Sequence, residues 1–319
     1  MRLRMTTWVI GQGGLLGSAI ARELERTGAD RFMSAPIPWS DPTAAGKTLA
    51  SEYRRFHQEA SGSSWRILWA AGAATVSTPE APAMAELGPL QALLAAIRST
   101  PPAGPGVFFL TSSAGGVFAG SQGAPFDEHS APRPLSPYGE LKLAQEALAR
   151  EQLAGTCSVL VGRFSNLYGP GQNLAKLQGL ISRLALAGVT QQPISIFVPL
   201  DTIRDYIYVD DAAAAALQLT QGAPSGSGSR IAIIASGQPA TVGQVIHTMG
   251  QVARRRIPVA YGSHPSSGAQ ALDLRLTPSP DLSSTTQLPV GMKAAYLDIL
   301  ARVQASQVNG YRASPASAG

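Results

Sequence analysis

The chain has 319 residues, of which 45% are hydrophobic and 14% are charged, a balance typical of a globular protein rather than a disordered one. The formal net charge is only +5, and the Lys and Arg residues form no long run, which argues against nucleic-acid binding. No segment is long and apolar enough to span a bilayer, so we expect no membrane partner.

The cysteine and histidine residues argue against a disulfide-bonded protein and against a metal site or a catalytic triad. Cys157 is the only cysteine, which rules out an internal disulfide, and its apolar surroundings predict a buried strand residue. The four histidines show no spacing typical of a metal site or a catalytic triad, so we expect no metal. Arg2 and Arg4 precede an apolar stretch as in a signal peptide, but the glycines from Gly11 interrupt it. A reducing, cytoplasmic location is the simpler expectation.

The first half of the chain alternates between predicted strands and helices. A strand at 6–10, a glycine turn at 11–17 and an amphipathic helix at 15–26 open it. Strands are also predicted at 31–35, 66–71, 106–111 and 158–164, and helices at 45–60, 84–99 and 138–152. This alternation predicts an α/β protein with a doubly wound parallel sheet.

The regular alternation of strands and helices ends after Gly169. A helix is predicted at 174–187 and a strand at 194–198; strand 203–209 and helix 211–219 are expected to return to the main sheet. A strand at 230–235, a helix at 242–254, a short strand at 271–276 within a loop-rich segment, and a helix at 290–303 follow.

The glycine turn reads Gly11-Gln-Gly-Gly14-Leu-Leu-Gly17, a G-x-x-G-x-x-G spacing between a strand and a helix. Glycines there permit unusual dihedral angles, close approach of a pyrophosphate to the backbone, and close packing of helix on strand. The pyrophosphate would lie on the free N–H groups at the helix start. An ordinary glycine-rich connection is the alternative, but the position after the first strand favours a dinucleotide site.

The expected acid at the end of the second strand is missing. Asp30 precedes the strand at 31–35, and Asp41 lies well beyond it. An acid at the strand end would bind the adenosine ribose and favour NAD, so its absence leaves room for NADP. Arg31 is a candidate for the additional phosphate.

A tyrosine and a lysine form the candidate catalytic pair. Tyr138 and Lys142 stand at i and i+4 on one face of a predicted helix. The lysine can stabilise a tyrosinate and lower the pKa of the phenol, which would then exchange a proton with a hydroxyl or ketone during hydride transfer. Taken alone, the pattern is more often a surface pair.

Three residues with hydroxyl side chains lie at the end of the predicted strand at 106–111. Thr111, Ser112 and Ser113 lie where a parallel strand faces the ligand crevice, and Ser113 is placed to bind the same substrate oxygen as Tyr138. The alternative is that Ser112 and Ser113 only cap a loop.

Together these motifs resemble the extended short-chain dehydrogenase/reductase family, the NAD-dependent epimerase/dehydratase group acting on nucleotide sugars. The resemblance spans roughly residues 6–305. It rests on the glycine turn, Trp69-Ala-Ala-Gly72, Thr111-Ser-Ser113, the Tyr138/Lys142 pair, Arg163-Phe-Ser-Asn166-Leu-Tyr168-Gly-Pro-Gly171 and Arg204-Asp-Tyr-Ile-Tyr-Val-Asp210-Asp211.

The resemblance implies a role for each matched residue. It makes Ser113, Tyr138 and Lys142 catalytic, and it places Asn166 near the substrate diphosphate and Arg204 on the nucleotide or its phosphates. A structural Arg204–Asp205 ion pair is an equally good interpretation of Arg204. The implied cofactor-binding set is Gly11, Gly14, Leu15, Leu16, Gly17, Ala70, Ala71, Gly72, Thr111, Tyr138 and Lys142.

The resemblance also implies an organisation of the chain. We expect a doubly wound parallel Rossmann sheet from residues 1–170 with 203–235. A smaller α/β C-terminal substrate lobe would comprise 171–202 and 236–307, and 308–319 would be a flexible tail. Some relatives of this type form homodimers, so a homodimer is possible.

Several departures bear on the chemistry. The loop after Ser113 is one residue longer than usual, so Ser112, also a substrate-binding candidate, is an alternative catalytic serine. Phe118 replaces a tyrosine, and Trp69 stands in a segment that lacks the usual histidine or asparagine. No Asp-Glu pair follows the catalytic hydroxyl, which disfavours dehydration.

The resulting hypothesis is an NAD- or NADP-dependent nucleotide-sugar epimerase or 4-ketoreductase with tyrosine as acid and base. The alternative is a non-catalytic sensor or scaffold protein that binds a dinucleotide on the same fold.

Overall fold

The computed structural model describes residues 5–174, 179–221, 226–262, 271–280, 282 and 284–313, with the backbone only from 308 onward. The strands are β1 (Met5–Ile10), β2 (Ser64–Trp69), β3 (Gly106–Ser113), β4 (Ser158–Phe164), β5 (Asn166–Tyr168), β6 (Ile194–Ile196), β7 (Ile203–Tyr208), β8 (Ser229–Ile234), β9 (Pro239–Thr241), β10 (Val259–Tyr261) and β11 (Asp273–Leu274).

The helices follow the same chain order. They are α1 (Leu15–Arg26), α2 (Pro42–Ala60), α3 (Glu80–Met84), α4 (Leu87–Ser99), α5 (Ala114–Val117), α6 (Pro137–Gln152), α7 (Leu180–Thr190), α8 (Val209–Gln221), α9 (Val242–Ala253) and α10 (Leu288–Ala313). Within the described residues, none of them is both long and apolar enough to cross a membrane.

A five-stranded parallel sheet, in the order β1-β2-β3-β4-β8, forms the centre of the fold. Successive side chains of a strand point to opposite faces, and here both faces are covered. Trp8 packs with Leu49 of α2, whereas Val9 packs with Ile20 of α1 on the other side. The predicted doubly wound parallel Rossmann sheet is confirmed.

Residues 31–35 do not form the predicted strand. Arg31 makes only an isolated parallel bridge with Thr7 of β1. Pro36 disfavours regular pairing at this point because proline restricts the residue before it and offers no N–H. The N–H of Ala35 donates instead to the Glu52 carboxylate, at 3.0 Å.

The prediction that 203–209 returns to the main sheet is also wrong. β7 pairs with β5 and β11 in parallel and with β9 in antiparallel orientation, which makes a second sheet. The place beside β4 is taken by β8, whose Ala232 and Ile234 are buried there. The helix that follows β7, α8, still packs on the main sheet.

The C-terminal lobe has its own core between α7, α9 and α10. The predicted helix at 174–187 begins only at Leu180, and residues 175–178 of that prediction lie outside the described residues. α10 continues to Ala313, so residues 308–313 of the predicted tail are helical, whereas 314–319 lie outside the described residues. The proposed division into domains remains a prediction.

Candidate active site

The glycine turn forms a tight cradle between β1 and α1. Gly11 has φ of +93°, and a Cβ there would lie 2.6 Å from the backbone of Ala70 and Ala71. A Cβ on Gly17 would lie 2.1 Å from the Gly11 carbonyl oxygen, whereas one on Gly13 would meet nothing within 4 Å. The glycines at 11 and 17 are therefore required by close packing, and the turn is open at 13.

The start of α1 has free donors. Its N-cap residue, Gly14, provides no side-chain hydrogen bond, so the first N–H groups of the helix, including those of Leu15 and Leu16, have no capping side chain. The Leu16 side chain is buried in the core under the sheet. Backbone donors at a helix start beside an open glycine are a suitable place for a pyrophosphate.

The predicted cofactor residues of the next two strands meet this cradle. Ala70 follows β2 and donates its N–H to the Ile10 carbonyl at 2.8 Å. A Cβ on Gly72 would lie 3.7 Å from Lys142 Nζ, so the loop after β2 connects the glycine turn with α6. The buried Thr111 hydroxyl, near the carboxyl end of β3, has no hydrogen-bond partner among the described residues.

Local sequence fixes the start of α6. The Ser136 side chain caps the helix by accepting from the Gly139 N–H, and Pro137 occupies the first turn. A Cβ on Gly116 would lie 2.9 Å from the Tyr138 ring, and one on Gly139 would lie 2.3 Å from the Gly116 carbonyl oxygen. These glycines let α6 approach α5 closely and place the Tyr138 ring against it.

Ser113 and Tyr138 come together. Ser113 ends β3 and caps α5 by accepting from the Gly116 N–H at 3.1 Å, and a Cβ on Gly116 would lie 3.4 Å from its Oγ, beside the Tyr138 ring. Burial raises the pKa of Tyr138; the Ser113 hydrogen bond opposes this rise, and the Glu86 carboxylate adds to it. The expectation of a lowered phenol pKa is therefore wrong for the free protein, because burial outweighs the stabilising contacts.

Lys142 lies one turn beyond Tyr138 and is buried. Its Nζ donates to Gln145 Oε1 at 3.0 Å and lies 5.7 Å from the centre of the Tyr138 ring. Burial lowers the pKa of Lys142, while Glu86 and Glu146 raise it. The predicted pair thus shares one helix face.

Ser112 points away from this pair. Its hydroxyl donates to Glu146 Oε1 at 2.5 Å, and Arg163 donates to both oxygens of the same carboxylate, at 3.0 and 2.7 Å. The three side chains are buried, and Arg163 also lies over the ring of the fully buried Phe118. This network holds β3, β4 and α6 together, so Ser113 rather than Ser112 faces Tyr138.

The two predicted substrate residues beyond β4 belong to the second sheet. Asn166 in β5 is exposed and donates to the Asp205 carbonyl at 3.0 Å. Arg204 in β7 is buried and donates to the Ile203 carbonyl at 2.8 Å, and burial lowers its pKa. The considered Arg204–Asp205 ion pair is absent from the described structure, because the Asp205 carboxylate accepts from Ser236.

Arg31, the candidate for an additional phosphate, is already engaged. Its guanidinium donates to the Ala21 carbonyl at 2.9 Å and to Gln12 Oε1 at 3.4 Å. The Gln12 contact places Arg31 beside the glycine turn.

Two acidic residues of the site were not predicted. Glu146 lies four residues after Lys142, and helical spacing could have indicated it. Glu86, between α3 and α4, accepts at Oε1 from the N–H groups of Ala73 and Ala74, each at 2.7 Å. No local sequence signal connects Glu86 with Lys142, because only the packing of α6 brings them together. Among the described residues, no group of three or more His, Cys, Asp or Glu side chains could hold a metal ion.

A doubly wound sheet with a glycine turn after its first strand is the architecture of a dinucleotide-binding protein. The sequence profile of the NAD dependent epimerase/dehydratase family matches residues 7–235, and the chain belongs to that family.

Individual relatives match shorter stretches. A UDP-glucose 4-epimerase of Azospirillum brasilense is 30% identical over 166 residues, 47% of each chain. A dTDP-4-dehydro-6-deoxyglucose reductase of Escherichia coli is 35% identical over 107 residues, 33% of each chain. The chain thus aligns with less than half the length of these curated relatives.

A solved structure, MoeE5 in complex with UDP-glucuronic acid and NAD, superimposes with a TM-score of 0.74 at 23% identity. The match covers 94% of this chain and 99% of that one. It extends the likeness of fold over nearly the whole chain.

Proposed function

We propose that this protein is an NAD- or NADP-dependent nucleotide-sugar epimerase or 4-ketoreductase in which Tyr138 is the acid and base. One observation carries the proposal. The Tyr138 ring and the Ser113 hydroxyl, at the carboxyl end of β3, both border Gly116, and Lys142 lies on the same helix face as Tyr138, beside Gly72. Ligands bind at the carboxyl ends of the strands in folds of this kind.

The residues at the carboxyl ends of β1, β2 and β3 fit a dinucleotide. Gly11, Gly14 and Gly17 with the N–H groups of Leu15 and Leu16 would hold the pyrophosphate. Ala70, Ala71, Gly72 and the Thr111 hydroxyl, which no described residue hydrogen-bonds, would border the rest of the cofactor. When bound, the nicotinamide supplies the hydride acceptor for oxidation or the hydride donor for reduction.

The protein's own groups manage the proton. In the oxidative direction the Tyr138 phenolate takes the proton of the sugar hydroxyl as the carbon-bound hydrogen leaves as hydride; in reduction the phenol returns a proton to the carbonyl oxygen. Ser113 would hydrogen-bond the same oxygen, and the charge of Lys142 would stabilise the phenolate. The raised pKa of Tyr138 keeps the phenol protonated in the free protein, which suits the reductive direction directly.

The family and its relatives, which include a UDP-glucose 4-epimerase and a dTDP-4-dehydro-6-deoxyglucose reductase, support a nucleotide sugar as the substrate class. Asn166 and Arg204 are proposed to bind the diphosphate and the nucleotide. An arginine fork suits phosphate oxygens, and both residues lie on the second sheet. Ala114-Gly115-Gly116 follows Ser113 and offers no acid–base pair for expelling water, which disfavours dehydration.

The test begins with the dinucleotide retained on purification, identified by mass. The protein is then incubated with UDP- and dTDP-hexoses and with dTDP-4-keto sugars, with added NADH or NADPH. An epimerase converts the hexose without net consumption of cofactor. A ketoreductase oxidises one molecule of NADH or NADPH for each molecule of product. A protein that retains dinucleotide and turns over none of these substrates contradicts the proposal and supports the non-catalytic alternative.

A further inference from the structure

We propose that Glu86 is a positioning residue of this site, whose carboxylate holds the loop after β2 and acts as the counter-charge of Lys142. This inference rests on the proposed function for its consequence in catalysis, although its structural part can be measured separately.

The two carboxylate oxygens of Glu86 face different groups. Oε1 accepts from the N–H groups of Ala73 and Ala74, each at 2.7 Å. A Cβ on Gly72 would lie 3.4 Å from Oε2 and 3.7 Å from Lys142 Nζ, so carboxylate and ammonium border the same space beside Gly72. Glu86 therefore joins the backbone at the cofactor side of the site to the lysine of α6.

Glu86 differs from the other carboxylate near Lys142. Glu146, on α6 itself, is neutralised by Arg163 of β4, which donates to both of its oxygens. Glu86 forms no ion pair within the described part of the chain, and its neighbours are backbone N–H groups. Lys142 also contacts two neutral side chains, those of Gln145 and Tyr138. Of the two carboxylates that act on Lys142, Glu86 is therefore the one whose charge no arginine offsets among the described residues.

The charge has a defined consequence. Burial lowers the pKa of Lys142, and Glu86 is the larger of the two influences that raise it. The same carboxylate raises the pKa of Tyr138. Removing the charge while keeping the hydrogen-bond acceptor must therefore lower the pKa of both groups and displace the whole pH profile of the reaction toward lower pH.

The experiment compares Glu86→Gln, which keeps an acceptor for Ala73 and Ala74, with Glu140→Gln. Glu140 is an exposed carboxylate on the first turn of α6, the helix that carries Lys142, and serves as the matched control. The chain has four lysines, so 13C-labelled lysine gives a simple spectrum in which Lys142 is assigned with Lys142→Arg. The Lys142 resonance is titrated with pH in each full-length variant after melting curves confirm folding, and kcat/KM is measured over the same range.

We expect the Lys142 titration and both limbs of the kcat/KM profile to move to lower pH in Glu86→Gln, with Glu140→Gln matching the unmodified protein. Dinucleotide affinity should stay within about twofold in Glu86→Gln and fall about tenfold in Glu86→Ala, where the loop loses a charged acceptor. A Lys142 titration that is identical in the unmodified protein, Glu86→Gln and Glu140→Gln overturns the proposal. A shifted titration in a protein that turns over no sugar nucleotide leaves the role of Glu86 intact and contradicts the proposed function instead.

Discussion

The Ser113 hydroxyl and the Tyr138 ring border the same point of the structure, since a Cβ on Gly116 would lie 3.4 Å from Ser113 Oγ and 2.9 Å from the ring. The elements that carry them, β3 and α6, are joined by more than twenty residues of chain. The adjacent hydroxyl of Ser112 is engaged with Glu146 on the other side of the strand. Of the two candidate serines, only Ser113 faces the phenol.

Tyr138→Phe should remove the proton-transferring group and leave the ring packed against Gly116. We expect kcat to fall by about 10²–10⁴-fold, with dinucleotide affinity nearly unchanged. The measurement is turnover of the sugar nucleotide found active in the unmodified protein. Tyr261→Phe, at a tyrosine that is 64% exposed in the C-terminal lobe, is the matched control and should retain full activity. Comparable turnover in both variants would remove Tyr138 from the mechanism.

The two serines should separate activity from stability. Ser113→Ala loses the hydroxyl that faces Tyr138, and we expect kcat/KM to fall about tenfold or more. Ser112→Ala leaves the buried Glu146 carboxylate with one hydrogen-bond donor fewer. The free energy of unfolding of this variant should therefore fall by about 1–3 kcal/mol. Urea denaturation and turnover are measured on both. A loss of activity confined to Ser112→Ala in fully folded protein would reverse the assignment.

The packing of the glycine turn predicts a contrast between two glycine substitutions. Gly17→Ala would push a Cβ against the Gly11 carbonyl and should cost about 1–3 kcal/mol of stability together with dinucleotide affinity. Gly13→Ala meets nothing within 4 Å, so thermal unfolding of the free protein should be unaffected. Equal melting temperatures for the two variants would show that the helix does not pack on the turn as described.

Cys157 provides a prediction on pH. The thiol is buried, and burial raises its pKa to about 12, with a hydrogen bond from the Phe108 backbone opposing the rise. Because the folded-state pKa exceeds the unfolded value of about 8.5, this contribution to stability is complete below that pH and is lost as the pH rises toward 12.

Denaturation measured at a series of alkaline pH values checks this. The free energy of unfolding of the unmodified protein should fall more steeply with pH than that of Cys157→Ala, by about 1.4 kcal/mol per pH unit. A thiol reagent at mildly alkaline pH should modify the unfolded protein and spare the folded one. Rapid modification of the folded protein would show that Cys157 is accessible.

Features with a local cause were predictable. The apolar strand, the glycine turn and α1 follow from hydrophobic period and from the dihedral needs of Gly11, and α6 follows from Ser136 and Pro137 at its start. Residues 31–35 had the composition of a strand, but Pro36 disfavours strand pairing there. The Ala35 N–H donates to the Glu52 carboxylate on α2 and not to a neighbouring strand. Strand 203–209 was recognised as a strand and assigned to the wrong sheet, since pairing depends on distant partners.

By itself, the sequence determined that Tyr138 and Lys142 share a helix face and that a glycine turn joins the first strand to the first helix, because helical spacing and turn geometry are set by neighbouring residues. Tertiary structure decided which serine faces the phenol, since adjacent side chains in a strand point to opposite sides and only the packing of α6 selects one of them. It also decided that Glu86 borders Lys142, because that contact joins segments more than fifty residues apart in the chain, which no local pattern relates.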